Sequence, residues 1–150
     1  MKVLLSFFLL LLGLQSFSQA EQNPWKTLAM VTVESEYDEM IGLEKIKATP
    51  MPMVKKMHGA EIEIGGYIIA LTTKTASSHL MFSRFPQNMC FFCGAAGPES
   101  AMQVFVKNGD KIDYTSDKVI LKGKLTIQNN DPSGLIYTLT DAELVKIIKS

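Results

Sequence analysis

Residues 60–71 impose the strongest constraint on the fold of this chain. Isoleucine alternates with glutamate over residues 61–64, and this period of two predicts a strand with one buried face. The glycine pair 65–66 lies in the middle of the same segment. Glycine inside a strand indicates a bulge or a sharp bend, such as one at the corner of a barrel. The segment therefore predicts a curved sheet.

Four further segments carry apolar and β-branched residues between turn signals, and we expect them to form strands: residues 79–85, 101–107, 118–128 and 135–139. The long fourth strand has Gly123 at its middle, as the first has its glycine pair. Five strands, two of them long and bent at glycine, match a small five-stranded OB-fold-like Greek-key barrel. The predicted fold class is therefore all-β with minor helix, and an open β-sandwich is the alternative architecture.

Outside these five strands the sequence predicts three weaker elements. Residues 26–33 end in Val-Thr-Val, which favours another strand. Residues 34–47 combine helical apolar spacing with an interrupting Gly42, and we expect a short helix or an irregular excursion there. Residues 140–143 have the spacing of a capping box, which predicts a helical turn at the C-terminus.

The first twenty residues have the three-part pattern of a secretory signal peptide. Lys2 precedes an almost wholly apolar run over residues 3–14, and small residues stand at Ser18 and Ala20. The run is shorter than the roughly 20 residues that a membrane-spanning helix needs. We therefore predict cleavage near Ala20 and a periplasmic or secreted product without a membrane anchor. The expected organisation is a signal peptide over 1–20, an N-terminal extension over 21–57 and an OB-fold-like domain over 58–150.

The charge balance excludes one class of partner. The 150 residues contain 15 basic and 15 acidic side chains, and removal of Lys2 with the leader leaves 14 against 15. A nucleic-acid-binding surface requires a basic excess. We therefore expect no nucleic-acid partner, and a single domain with enough chain for one core.

The chain from residue 58 onward carries a specific set of residues: Gly59, 63–68, 90–99, Gly134, Tyr137, Leu139 and 141–142. The most specific part is Cys-Phe-Phe-Cys-Gly followed by Gly-Pro-Glu. In these residues the chain resembles a family of small exported bacterial proteins of unknown function with an OB-fold-like domain. The resemblance implies the fold and brings no settled activity with it.

Cys90 and Cys93 are the only arrangement in the sequence with clear chemical potential. Two cysteines at this spacing can bind a thiophilic metal ion, because both thiolates can face one centre. They can also cycle between dithiol and disulfide, or form a permanent structural disulfide. All three remain open at this stage, and metal binding is the interpretation we favour.

A closed zinc site needs two further ligands, for which we select His79 and Glu99. His58 is a further candidate, and Asp113 and Asp117 are weaker ones. Copper is the other candidate metal, because soft thioethers near the loop would favour cuprous ion: Met81, Met89 and Met102. If no metal binds, no cofactor is expected.

The remaining alternatives are a thiol-disulfide redox protein and a structural or protein-interaction module. A thioredoxin-type site places its first cysteine at a helix start, whereas residues 94–98 (Gly-Ala-Ala-Gly-Pro) are poor helix formers. In an interaction module, Phe91 and Phe92 would be presented to an exported protein partner. We therefore predict an exported binding module rather than an enzyme, with a metal ion or an exported protein as its partner.

Overall fold

The computed structural model describes residues 23–40, 42–71, 73, 75–128 and 134–149. The predicted signal peptide lies outside these residues. The described chain is mostly β with few helices, as the sequence predicts. None of its helices is long and apolar enough to cross a membrane.

The elements follow one another along the chain in this order: α1 Pro24–Leu28, β1 Val31–Asp38, β2 Leu43–Pro50, α2 Pro52–Lys55, β3 Glu61–Ile69, β4 Ala76–Ser77, β5 His79–Ser83, β6 Ala101–Val106, β7 Ile112–Asp113, β8 Lys118–Ile127 and β9 Tyr137–Ile148. Four short 3₁₀ turns lie at Gln87–Met89, Phe91–Cys93, Pro98–Ser100 and Lys107–Gly109.

Five strands form one mixed sheet in the order β3-β5-β6-β9-β8, and β8 returns to pair with β3. Every pairing in this five-stranded sheet is antiparallel except that of β6 with β9. The sheet therefore closes on itself in strand order. Strands β3, β5, β6 and β8 lie where the sequence predicts them.

Glycine is required where strands of the sheet approach one another closely. A Cβ atom on Gly66 would collide with the carbonyl oxygen of Ser83 and lie 2.8 Å from Phe82 Cζ. A Cβ on Gly123 would lie 2.8 Å from the carbonyl oxygen of Thr140. Both glycines of the two long strands therefore permit a close backbone approach, in line with their predicted role at bends.

The N-terminal extension is part of the same core as the sheet. The indole Nε1 of Trp25 donates a hydrogen bond to the carbonyl of Gly65 at 2.8 Å, and its ring stacks on Phe82 at 6.2 Å between centroids. Trp25 and Leu28 are almost wholly buried, and they belong to one hydrophobic cluster with the strands. Helix α1 is therefore anchored on β3 by both apolar packing and a hydrogen bond.

Residues 31–50 form a β-hairpin, which we call the arm. The prediction of a short helix or an irregular excursion over residues 34–47 is wrong, and the strand predicted over 26–33 begins only at Val31 because α1 precedes it. The arm is paired along its whole length, from Val31 opposite Pro50 to Asp38 opposite Leu43. A cross-strand pair of opposite charge, Glu34 with Lys47, favours this register over a helix.

The helical turn predicted after residue 140 is also wrong. Strand β9 continues to Ile148 and pairs with β8 as far as Lys118. Asp141 takes a positive φ of 51°, and the ladder shifts register at two points, so the strand bends rather than coils. Long-range pairing with β8 therefore overrides the local capping signal. The sequence also gave no signal for the two-residue strands β4 and β7, which pair with each other.

Candidate functional site

Residues 84–100 connect β5 to β6, and we call them the cysteine loop. Pro86 and Gly97 take extended backbone angles directly before two of its 3₁₀ turns, and Pro98 opens the second of these. Gly94 ends the turn Phe91–Cys93 in the left-handed region at φ 74°. The proline and glycine content that made this segment a poor helix thus folds it into three successive tight turns.

The turn Phe91–Cys93 brings the two cysteines together. Cys93 N–H donates to the carbonyl of Cys90 at 3.2 Å, and Ala95 N–H donates to the same carbonyl at 3.3 Å. Side chains three positions apart eclipse one another in a 3₁₀ turn. The two Sγ atoms lie 3.9 Å apart as free thiols. The spacing therefore places both sulfurs within reach of one centre, as the sequence predicts.

The two thiols differ in their exposure. Cys90 is fully buried, whereas Cys93 lies at the surface. The Cys93 thiol donates a hydrogen bond to the carbonyl of Gln87 at 2.9 Å. The hydrogen bond with Cys90 raises the pKa of Cys93, and desolvation and the proximity of the Cys90 sulfur raise this pKa further. Cys93 is therefore mainly a protonated thiol at neutral pH.

Gln87 is a residue of the site that sequence reasoning missed. Its side-chain amide donates to the carbonyl of Ala70 at 3.2 Å and accepts from the N–H of Ala70 at 3.4 Å. This pair of hydrogen bonds fixes the cysteine loop to the end of β3, while the Gln87 carbonyl holds the Cys93 thiol. No local signal in the sequence marks a glutamine for this role.

The two further ligands predicted from sequence do not join the cysteines. Among the described residues, no three histidine, cysteine, aspartate or glutamate side chains gather where they could hold a metal ion. His79 begins β5 and stacks on Phe105 with 4.4 Å between ring centroids. Glu99 folds back over Gly97, and its charge raises the pKa of Tyr137, an effect second to the burial of that phenol.

The other ligand candidates have positions of their own. The Nδ1 atom of His58 accepts a hydrogen bond from the N–H of Ile127 at 3.1 Å. Asp113 belongs to the small strand β7. Met102 is fully buried in the core, whereas Met89 is exposed at the end of the turn that precedes Cys90.

Phe91 and Phe92 lie between the cysteines and contact each other edge to face, with 5.4 Å between ring centroids. Both rings are half-buried. The pair thus contributes packing to the loop and presents only part of its apolar surface to solvent.

A cleft of about 310 Å³ lies beside the attachment point of Gln87. Ala70 and Tyr114 line it, together with apolar side chains of β3 and β5. The hydroxyl of Tyr114 approaches Gln87 Oε1 at 3.5 Å. Gln87 therefore connects the cysteine loop to the wall of this cleft.

No family model, curated protein or solved structure matches the chain.

Proposed function

We propose that this protein is an exported binding module with an OB-type barrel, in which Cys90 and Cys93 bind one cuprous ion through two thiolates. The observation that carries the proposal is the 3.9 Å separation of two unbonded sulfurs on one tight turn. Soft thiolates favour Cu(I) among the metals of biology. Glu99 and His79, the supporting ligands expected from sequence, have no part in this two-thiolate site.

The strand order supports the OB-type assignment. The first long strand of the sheet, β3, pairs with both the second and the fourth strand, β5 and β8. The third strand, β6, runs parallel to the fifth, β9. This arrangement is the one expected for a five-stranded Greek-key barrel of the OB type, and the resemblance from residue 58 onward implies the same fold.

Copper fits the surroundings of the sulfurs better than zinc does. A structural zinc site is closed by four ligands, and the described residues bring no histidine, aspartate or glutamate to the cysteine pair. Cuprous ion is stable with two thiolates alone. Zinc at this position would need water or a partner protein to complete its coordination.

The thiol-disulfide alternative is favoured by one observation and opposed by another. An exposed Cys93 beside a buried Cys90 resembles a pair in which one sulfur attacks and the other resolves. However, the pKa of Cys93 is raised, whereas redox catalysis requires a thiolate at neutral pH. Formation of a disulfide would also require the distance between the two Sγ atoms to shorten from 3.9 Å to about 2.05 Å.

Export is proposed from the leader pattern of residues 1–20. Outside the cytoplasm an unliganded dithiol is exposed to oxidation. A bound cuprous ion would keep both sulfurs in their thiolate form, so the metal would also keep the cysteine loop from oxidation.

The test is anaerobic titration with Cu(I) against a chromophoric chelator, followed by native mass spectrometry. We expect one copper ion per chain in the wild type and a loss of affinity of at least about 100-fold in Cys93→Ser, because one of two ligands is removed. Ser77→Ala, which keeps both cysteines, is the control and should bind like the wild type. An anaerobically purified protein two hydrogens lighter than the dithiol would overturn the proposal in favour of a disulfide. Unchanged copper binding by Cys93→Ser would overturn it as well.

A further inference from the structure

Three exposed methionines stand at neighbouring backbone positions where the arm meets the rest of the molecule. Met30 precedes β1, Met51 follows β2, and Met53 lies in α2. Their exposed fractions are 39%, 51% and 58%. Methionine commonly fills gaps in a core, as the fully buried Met102 does here. That explanation does not account for three exposed methionines at neighbouring backbone positions.

The register of the arm places Met30 and Met51 side by side. Val31 pairs with Pro50, so the next pair outward is Met30 with Met51. The N–H of Met51 donates to the carbonyl of Met30 at 3.1 Å, which extends the ladder to this pair. Directly opposed residues of antiparallel strands have Cβ atoms about 4.5–5.5 Å apart on the same face. Two flexible thioethers that start this close can reach a common centre.

Met53 is brought to the same region by the turn that ends the arm. Met51 has extended angles and is the residue before α2, and Pro52 begins that helix. Met53 therefore follows Met51 at a distance of two residues, on a chain that has just reversed into a helical turn. The backbone directly after Met53 is anchored, because Val54 of α2 is fully buried in the core.

We propose that Met30, Met51 and Met53 form a second metal site, which binds a soft monovalent cation through neutral thioether sulfurs. Thioethers select cuprous ion and are poor ligands for hard cations such as magnesium or calcium. The site is independent of the cysteine loop in its residues and in its chemistry. A thioether carries no proton at any pH reached in water, so binding here releases none.

This difference in protonation separates the two sites experimentally. As pH falls, a thiolate site loses metal affinity about tenfold per pH unit for each proton that binding displaces, because the thiols must deprotonate to bind the metal. The methionine site should keep the same affinity between pH 5 and pH 8. Silver(I) is the probe, since it is soft and monovalent like Cu(I) and does not oxidise in air.

The experiment is silver titration of Cys90→Ser/Cys93→Ser protein by isothermal calorimetry and native mass spectrometry. We expect one silver ion per chain at both pH values. Met30→Leu/Met51→Leu in the same background should weaken this binding at least tenfold. Met40→Leu is the matched control, because Met40 is 96% exposed at the tip of the arm. It should leave silver binding unchanged.

Leucine keeps the apolar surface, so an apolar docking patch for a protein would survive these substitutions while a metal site would not. Methyl NMR gives a second readout that needs no substitution at the site. Silver should shift the ε-methyl resonances of Met30, Met51 and Met53 and leave that of Met40 in place.

Absence of silver binding to the cysteine-free protein overturns the proposal, and so does an equal loss in Met40→Leu. Silver binding to Met30→Leu/Met51→Leu protein with both cysteines present reports on the cysteine pair alone. The two proposals can therefore fail separately.

Discussion

The hydroxyl of Tyr137 donates a hydrogen bond to the carbonyl of Leu28, which lies 109 positions earlier in the chain. Both residues are fully buried, and they join the fifth strand of the sheet to the N-terminal helix α1. Glu99 acts on the same phenol through its charge. The region before residue 58 is thus held to the sheet by a polar contact inside the core.

Removal of this hydroxyl should destabilise the protein. In Tyr137→Phe the buried carbonyl of Leu28 loses its donor, and a buried unsatisfied polar group costs about 1–3 kcal/mol. The measurement is the free energy of unfolding in urea. Tyr37→Phe is the control, because Tyr37 is exposed on the arm and should change the unfolding free energy by less than about 0.5 kcal/mol. Equal effects of the two substitutions would contradict the role of this contact.

The same phenol makes stability depend on alkaline pH. Burial raises the pKa of Tyr137 above its ordinary value of 10, and Glu99 raises it further. Above pH 10 the unfolded chain therefore loses a proton that the folded chain keeps, so the unfolding free energy falls as pH rises, by up to about 1.4 kcal/mol per unit. Below pH 10 this contribution is fully present.

Other titrating groups also change the unfolding free energy, and comparison with Tyr137→Phe at each pH subtracts their contribution. The stability advantage of the wild type over this variant should be constant from pH 7 to 9 and should shrink from pH 10 to 11. A constant difference across the whole range would show that Tyr137 does not titrate on unfolding.

Neighbouring glycines in β3 should respond very differently to substitution. In Gly66→Ala the new Cβ meets the carbonyl oxygen of Ser83 and the ring of Phe82. Overpacking of this kind costs about 1–3 kcal/mol, and we expect the upper end because one of the contacts is backbone. The measurement is the urea midpoint at constant m-value.

Gly65→Ala is the matched control for Gly66→Ala. Its Cβ would meet chiefly the flexible end of Lys118, with Cε at 3.1 Å. We expect a change of less than about 1 kcal/mol, since alanine is otherwise favoured over glycine inside a strand. A larger loss of stability in Gly65→Ala than in Gly66→Ala would contradict the close approach of β3 to β5 at Gly66.

The strands of the sheet could be predicted because their signal is local. Alternation over residues 61–64 and the glycine pair after it lie within one short window. The arm could not be predicted in this way, because its pairing joins residues that are far apart in sequence. Glu34 faces Lys47 from thirteen positions away, beyond the short segment in which a strand pattern is recognised. The capping signal after Thr140 was local and was overridden by pairing of β9 with β8.

In the candidate site, too, local features could be predicted from the sequence and tertiary contacts could not. The convergence of Cys90 and Cys93 follows from a spacing of three, which one tight turn satisfies. Whether a third ligand reaches the sulfurs depends on tertiary contacts, and His79 instead stacks on Phe105 of the neighbouring strand β6. Gln87 acts through hydrogen bonds to Ala70, seventeen positions earlier, and no motif records such a contact.

Alkylation should distinguish the two cysteines of the reduced, metal-free protein. Cys93 is exposed and Cys90 is fully buried, so iodoacetamide should add one label per native chain, at Cys93.

Because the pKa of Cys93 is raised, its thiolate fraction at pH 7 is small. Its labelling rate should therefore be low at pH 7 and rise about tenfold per pH unit up to pH 9, since only the thiolate reacts. Peptide mass spectrometry locates the label, and unfolding in urea should add the second one at Cys90. A label on Cys90 in the native protein would contradict the burial of that thiol. A rate that levels off below pH 8 would contradict the raised pKa of Cys93.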